Sequence, residues 1–313
     1  MDGKDSFTCV EQKTFRAMFV GTMERTHMKI LVTGATGQLG TRLLKCAVSR
    51  PHVEMVGLGQ SDLDVCDAGA VVEALNRHRP DVVIHAAAFT GVDAAEHAEA
   101  DAHRVNSEAV GHVAKACAEV GAAMIHISTD YVFGEVPHRP LSPETPTAPL
   151  GAYGRTKLAG EQAFLASGVS GAIVRVAWLY DAEGHNFMNT MLRLAQTHGA
   201  LRVVNDQHGV PTSVPVLAEA LLDMAERGED MPSGIWHYAH QGHTTWHGFA
   251  TEIMRVADMD VPVAPVSSDA FPTPAVRPSW SVLDGEPLRQ EMGWPAMDWR
   301  EGLKRCWEFK KDV

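Results

Sequence analysis

The sequence predicts an α/β protein on a doubly wound parallel sheet of the Rossmann type, with a smaller, mostly C-terminal region for a substrate. Three observations point there. Short runs of branched apolar residues recur along the first half of the chain, each followed by a helical stretch. The first run enters a turn with glycine at positions 34, 37 and 40. After Asp181 the alternation loosens. The expected organisation is an N-terminal extension over residues 1–27, a dinucleotide-binding domain over 28–180, and a mainly substrate-binding region over 181–313 with segments that return to the sheet.

Lys29-Ile-Leu-Val-Thr33 reads as a central strand, and Thr41 to Ser49 as the helix after the glycine turn. Glycines let the turn be tight and let the backbone approach a pyrophosphate, while the helix start offers free N–H donors. Candidate cofactor contacts here are Gly34, Thr36, Gly37, Gln38, Leu39 and Gly40. The spacing, G-x-x-G-x-x-G, departs from the G-x-G-x-x-G fingerprint. Val53–Leu58 is the second strand; at its end stands Gly57-Leu-Gly-Gln60, with neither an acid for a ribose 2′-hydroxyl nor an arginine for a 2′-phosphate. That leaves NADH and NADPH both open on this ground. Asp64 and Val65 are candidates for the adenine end, ahead of a helix from Ala68 to His78.

Pro80 to Ala88 reads as a strand ending in Ala86, Ala87 and Ala88, small enough to let a flat cofactor lie across the sheet. A helix around Asn106 to Val120 leads to the strand Ala123–Ile127, then Ser128-Thr129-Asp130. Leu141 to Pro149, rich in proline, must be a loop. Tyr153 and Lys157 lie four residues apart in a helical stretch, so they share one face. A phenol next to an ammonium suits proton delivery to a carbonyl oxygen, since the positive charge favours the phenolate. Tyr-x-x-x-Lys alone is a weak pattern; its place after a glycine turn and a Ser-Thr strand end gives it weight. The strand Gly171–Ala177 leads into Trp178, read either as core or as a platform for a ring-shaped ligand. Beyond it come helices over Phe187–His198, Pro215–Glu226 and Thr245–Ala257, and a short strand over Gly234–Ala239. Arg277, in an irregular proline-rich segment, is a candidate anion contact.

Composition bounds the function. At 313 residues, 45% hydrophobic and 21% charged, the chain can bury a large core. A net charge of −12 argues against nucleic-acid binding. Five scattered cysteines without CxxC spacing suit reduced thiols and a cytoplasmic setting. No apolar run is long enough to cross a bilayer, so no membrane partner is expected. His237, His240, His243 and His247 span a strand, a loop and a helix start, a poor pattern for a metal site, and nothing resembles the G-x-S-x-G elbow.

Taken together, Gly34-x-x-Gly37-x-x-Gly40, Ala86-Ala-Ala, Ser128-Thr-Asp-Tyr-Val-Phe133 and Tyr153-x-x-x-Lys157 resemble the extended short-chain dehydrogenase/reductases. Asn205-Asp-Gln-x-Gly-x-Pro-Thr212, Thr244-Thr-Trp246 and Pro272-Thr-Pro-Ala-x-Arg-Pro278 narrow the resemblance to the dTDP-4-dehydrorhamnose reductase family, from about residue 28 onward. It implies NADPH-dependent reduction, with NADH sometimes accepted, of the C4 ketone of a dTDP-4-keto-6-deoxyhexose. It also implies that Thr129 and Tyr153 hold the carbonyl oxygen, that Tyr153 delivers the proton, and that Lys157 binds the nicotinamide ribose and tunes the tyrosine. Thr90, Thr129, Asp130, Trp178, Asn186 and Arg277 are the substrate-side candidates. Some relatives bind magnesium through glutamates at a dimer interface; here Thr41–Lys45 and Gln196–Ala200 carry no acid. No required metal is therefore expected, and the protein would act as monomer or homodimer. Two rivals remain: a ketoreductase for another nucleotide deoxysugar, such as an antibiotic sugar or dihydrostreptose, and a non-catalytic regulatory subunit of the methionine adenosyltransferase type.

Overall fold

The computed structural model describes residues 27–311; the extension expected over residues 1–27 lies outside that range but for His27. Six parallel strands form the main sheet: β1 (Met28–Thr33), β2 (Val53–Leu58), β3 (Val82–His85), β4 (Ala123–Thr129), β5 (Gly171–Val176) and β10 (Gly234–His237), in the order β10-β5-β4-β3-β1-β2. Side chains alternate between its two faces with the period of a strand. Ile30, Val32, Ile84, Ile125 and Val174 point into one core, and Leu31, Val83, Met124 and Ile173 into the other. Each such buried aliphatic side chain contributes about 1.5–3 kcal/mol relative to exposure. Both faces must therefore be covered, which is why the strands read as unbroken apolar runs.

The first face is covered by α1 (Gln38–Ala47), through Leu39, Leu43 and Ala47, and by α8 (Val214–Glu226). The second is covered by α2 (Ala68–His78), α5 (Ala109–Val120) and α6 (Ala152–Ser167). Chain order reverses between β1 and β3, so the crevice beyond their carboxyl ends is the switch point at which such sheets bind ligands.

Two expectations shift. α1 starts at Gln38 and not at Thr41, because Gly37 itself caps it with extended backbone (φ −75, ψ 170) and Thr41 N–H already bonds Gly37 O at 2.9 Å. The helix expected from Asn106 begins as a π-helical turn, Arg104–Glu108, and becomes α5 at Ala109. There the Asn106 side chain accepts from Phe89 N–H (2.9 Å) and donates to Phe89 O (3.0 Å) and to Thr156 Oγ1 (3.1 Å). The chain after Asp181 does not stay on one side. Within it α8 packs on α1, and β10 joins the main sheet beside β5.

What remains of that half forms a third core. α7 (Phe187–Thr197), α9 (Trp246–Val256) and α11 (Trp299–Lys311) bury Met188, Phe249, Trp299 and Leu303 with Tyr180 and Trp280. Two-stranded pairings brace it: β7 (Leu201–Val204) with β12 (Val263–Val266), and β8 (His208–Gly209) with β11 (Thr244–Thr245). No helix among the described residues is long and apolar enough to cross a membrane.

Candidate active site

A cleft of about 990 Å³ runs along the carboxyl ends of β1, β3, β4 and β5. Of the candidate residues, all but Arg277 line it. Its floor begins at the glycine turn. Gly34 has φ +70, and a Cβ there would stand 2.6 Å from Ala87 N, so the turn lies against the end of β3 with no space for a side chain. A Cβ on Gly40 would stand 2.7 Å from Ala35 Cα and 2.9 Å from the Gly34 carbonyl carbon. Gly37 is different: its Cβ would meet only Gly34 O, at 3.2 Å. The start of α1 thus presents unencumbered N–H donors to the cleft, a fitting cradle for a pyrophosphate.

Asp64 and Val65 line one end of the cleft beside Gln60 and Cys66. Arg104 lines the same cleft. The end of β2 carries no arginine; this one arrives from the π turn ahead of α5, a placement that spacing along the chain does not reveal.

At the other end Thr129 closes β4, and Tyr153 and Lys157 stand one turn apart on α6. Thr129 Oγ1 donates to Asp130 Oδ1 (3.0 Å), accepts from Tyr131 N–H (3.2 Å) and hydrogen-bonds the Tyr153 phenol. Tyr131 packs edge-on against Tyr153, ring centres 5.5 Å apart. Lys157 Nζ donates to Ile127 O at 2.7 Å. Burial draws the ammonium down to about 8, against the pull of Glu161, so it is still charged near neutral pH.

The phenol does not follow the expected direction. Burial pushes Tyr153 up to about 12, the Asp130 carboxyl pushes the same way, and only the Thr129 hydrogen bond opposes them. Asp130 is itself buried, and burial pushes its carboxyl up to about 6, against the nearby Ser281 hydroxyl and the hydrogen bond from Thr129.

Thr90 stands exposed at the rim, beyond Ala88. Trp178 takes the left-handed region (φ +50) and stacks face to face on Trp246, centroids 3.6 Å apart and planes 8° apart. It is therefore both packed and cleft-lining, so the two readings of it were not exclusive. Asn186 caps α7, accepting from Asn189 N–H (3.1 Å) and donating to Asp181 O (2.9 Å), so part of its hydrogen-bonding capacity is already used. Arg277 departs from its expected role: its guanidinium is held by Asp93 at 2.8 and 3.1 Å, outside the cleft lining. An acid brought from 184 residues away satisfies it, and nothing adjacent in sequence signals the pairing.

Sequence reasoning also missed the wall that α1 builds with the segment after β5. Arg42 on α1 forms a buried pair with Asp181 (2.5 and 3.0 Å), and Lys45 pairs with Glu183 at 2.6 Å. All four residues line the cleft. Basic residues in the first helix of a glycine-turn unit were the only available signal. The four histidines disperse: His237 bonds Leu141 O, His240 accepts from Ser213 N–H, His247 bonds Val263 O, and His243 packs by Trp280.

Comparison with known proteins gives a consistent set. The model of the RmlD substrate binding domain matches residues 28–311. A dTDP-4-dehydrorhamnose reductase of Streptomyces griseus is 43% identical over 277 residues, covering 87% of this chain and 91% of that protein. One of Mycobacterium tuberculosis is 44% identical over 281 residues, covering 88% and 91%. Among solved structures, a dTDP-4-dehydrorhamnose reductase of Clostridium acetobutylicum superposes with a TM-score of 0.86 at 39% identity, covering 91% of this chain and all of that one. That of Bacillus anthracis, in complex with NADP, gives 0.85 at 34% identity, covering 90% and 99%.

Proposed function

The chain belongs to the dTDP-4-dehydrorhamnose reductase family, and on that premise we propose how its own residues carry out the reaction. The protein is an NADPH-dependent oxidoreductase that reduces the C4 ketone of a dTDP-4-keto-6-deoxyhexose, in the formation of dTDP-L-rhamnose. When bound, NADPH supplies the hydride. The turn Gly34–Gly40 and the start of α1 would hold its pyrophosphate, Asp64 and Val65 its adenine end, and Ala86–Ala88 the floor beneath the nicotinamide. The tight backbone at Gly34 and Gly40, where any Cβ would collide, suits that role.

On the substrate side, Thr129 and Tyr153 donate hydrogen bonds to the C4 oxygen. As charge develops on that oxygen, the Tyr153 phenol gives up its proton, so a hydroxyl replaces the ketone. The phenolate left behind is stabilised by the Lys157 ammonium and regains its proton from solvent, while the single Thr129 hydroxyl proton stays with the C4 oxygen. Burial keeps the phenol protonated at neutral pH until a developing oxyanion draws on it. Lys157, anchored by Ile127 O, would contact the nicotinamide ribose. Trp178 and Thr90 flank the sugar. The four unpaired cysteines among the described residues, Cys46, Cys66, Cys117 and Cys306, suit a reducing cytoplasm.

The observation that carries the reading is the meeting of a hydroxyl, a phenol and an ammonium in one cleft with the glycine turn. Loss of NADPH absorbance on adding dTDP-4-dehydrorhamnose, with dTDP-L-rhamnose as product, is the expected result. Absence of turnover with both NADPH and NADH would refute it and leave the two rival readings, a ketoreductase for another nucleotide deoxysugar and a regulatory subunit.

A further inference from the structure

Behind the cleft, on the face of the sheet covered by α6, lies a charged pair that the reaction as described does not use. Glu161 on α6 receives Arg175 of β5 through two hydrogen bonds, 2.8 Å to Oε1 and 2.7 Å to Oε2, and Ser128 donates to Oε1 at 2.5 Å. Both side chains are only 2% exposed. The far side of Arg175 reaches Pro143 O at 3.3 Å and stacks over the Phe133 ring at 5.0 Å. Next to it His237 bonds Leu141 O at 2.8 Å, so the base of the proline-rich loop is fastened to the same group. A buried pair of this kind is often no more stabilising than apolar residues of equal volume, so fold stability alone does not account for it.

Its position relative to Lys157 does. Glu161 follows Lys157 by four residues on α6 and so lies on the same helix face. We infer that Glu161 is a positioning residue for the reduction, acting through Lys157: paired with Arg175, it forms an oriented buried dipole whose negative end holds the Lys157 ammonium charged and in place against β4. The inference rests on the reading of Lys157 as part of the reacting site.

The other groups facing Lys157 supply no such support. Tyr153 stands one turn earlier on α6, and its phenol is neutral. His85 of β3 and His126 of β4 are fully buried, and burial holds both neutral. Among these neighbours Glu161 is the anion that favours the ammonium, opposing the burial that draws it down. Removing that carboxylate leaves burial unopposed, so the ammonium loses its proton at lower pH.

The test is the pH dependence of kcat/KM for NADPH-driven reduction of dTDP-4-dehydrorhamnose in the parent, in Glu161→Gln and in the double variant Glu161→Leu/Arg175→Met. The double variant avoids an unpaired buried arginine, and circular dichroism establishes that each protein is folded. In both variants the alkaline decline should move about one unit or more toward acid, with activity at about pH 8 down ~5-fold or more and activity at about pH 6 within ~3-fold of the parent. A merely structural role would lower activity evenly across pH. An alkaline decline left in place in the folded variants would overturn the inference alone. Lys157→Met is the companion measurement: full turnover in that variant would overturn the reading of the site and the inference with it.

Discussion

Gly40→Ala probes what holds the cofactor cradle together. The added methyl would stand 2.7 Å from Ala35 Cα and 2.9 Å from the Gly34 carbonyl carbon. Carbon atoms pack at ~3.5–4.0 Å, so α1 and the turn must part by about 1 Å. Neither neighbour can swing aside, because both belong to the backbone of the turn. Overpacking of this kind costs ~1–3 kcal/mol. If the separation falls on the N–H groups that face the pyrophosphate, NADPH affinity drops ~5- to 100-fold, at ~1.4 kcal/mol per factor of ten. Titration by the fluorescence of bound NADPH reads the affinity, and thermal unfolding without ligand reads the stability. Gly37→Ala is the control for the turn itself, since its methyl meets only Gly34 O at 3.2 Å and should leave stability nearly unchanged. Native NADPH affinity in Gly40→Ala, with or without a lower Tm, would refute the claim that the closeness of this turn forms the phosphate cradle.

Tyr153→Phe should lower kcat by ~10²–10⁴ with NADPH affinity within ~3-fold, as measured by steady-state kinetics beside a binding titration. Asp130 has a stability signature: the fold binds its proton more tightly than the unfolded chain, so its contribution is complete below the ordinary carboxyl value of 3.8 and is lost as pH rises through about 6. Asp130→Asn should therefore be more stable than the parent at about pH 8, by roughly 2–3 kcal/mol, with the gain vanishing toward about pH 4, as urea unfolding across pH would show. Gly209→Ala would drive a methyl into the Trp178 indole, 2.7 Å from its Nε1 and Cζ2, and tilt it off Trp246. The KM for the nucleotide sugar should rise ~10-fold while NADPH affinity holds, a loss of about 1.4 kcal/mol in sugar binding.

Much of the frame could be read from local pattern. Leu31 and Ile30 belong to opposite cores, and that alternation is written in adjacent letters. The same holds for Tyr153 and Lys157, whose common face follows from helix pitch alone. Long-range pairing was not legible. Arg42 meets Asp181 across 139 residues and Arg277 meets Asp93 across 184, so each partnership depends on the closed fold. Backbone exceptions were hidden as well: the left-handed Trp178 and the π turn at Asn106 rest on tertiary contacts that no propensity encodes. The Tyr153 phenol was misjudged for a related reason. Its neighbour on the helix was visible in the sequence, whereas the depth of its surroundings was not.

Because β10 and α8 come from the second half of the chain yet complete the first core, this molecule cannot be divided with a single cut. Ending it after Tyr180 would bare the β5 edge, including Arg175, and strip the cover from Leu39 and Leu43. Exchange of sugar preference between relatives therefore calls for two grafts, one replacing residues 181–213 and another beginning after His237, with the intervening helix and strand left to the host.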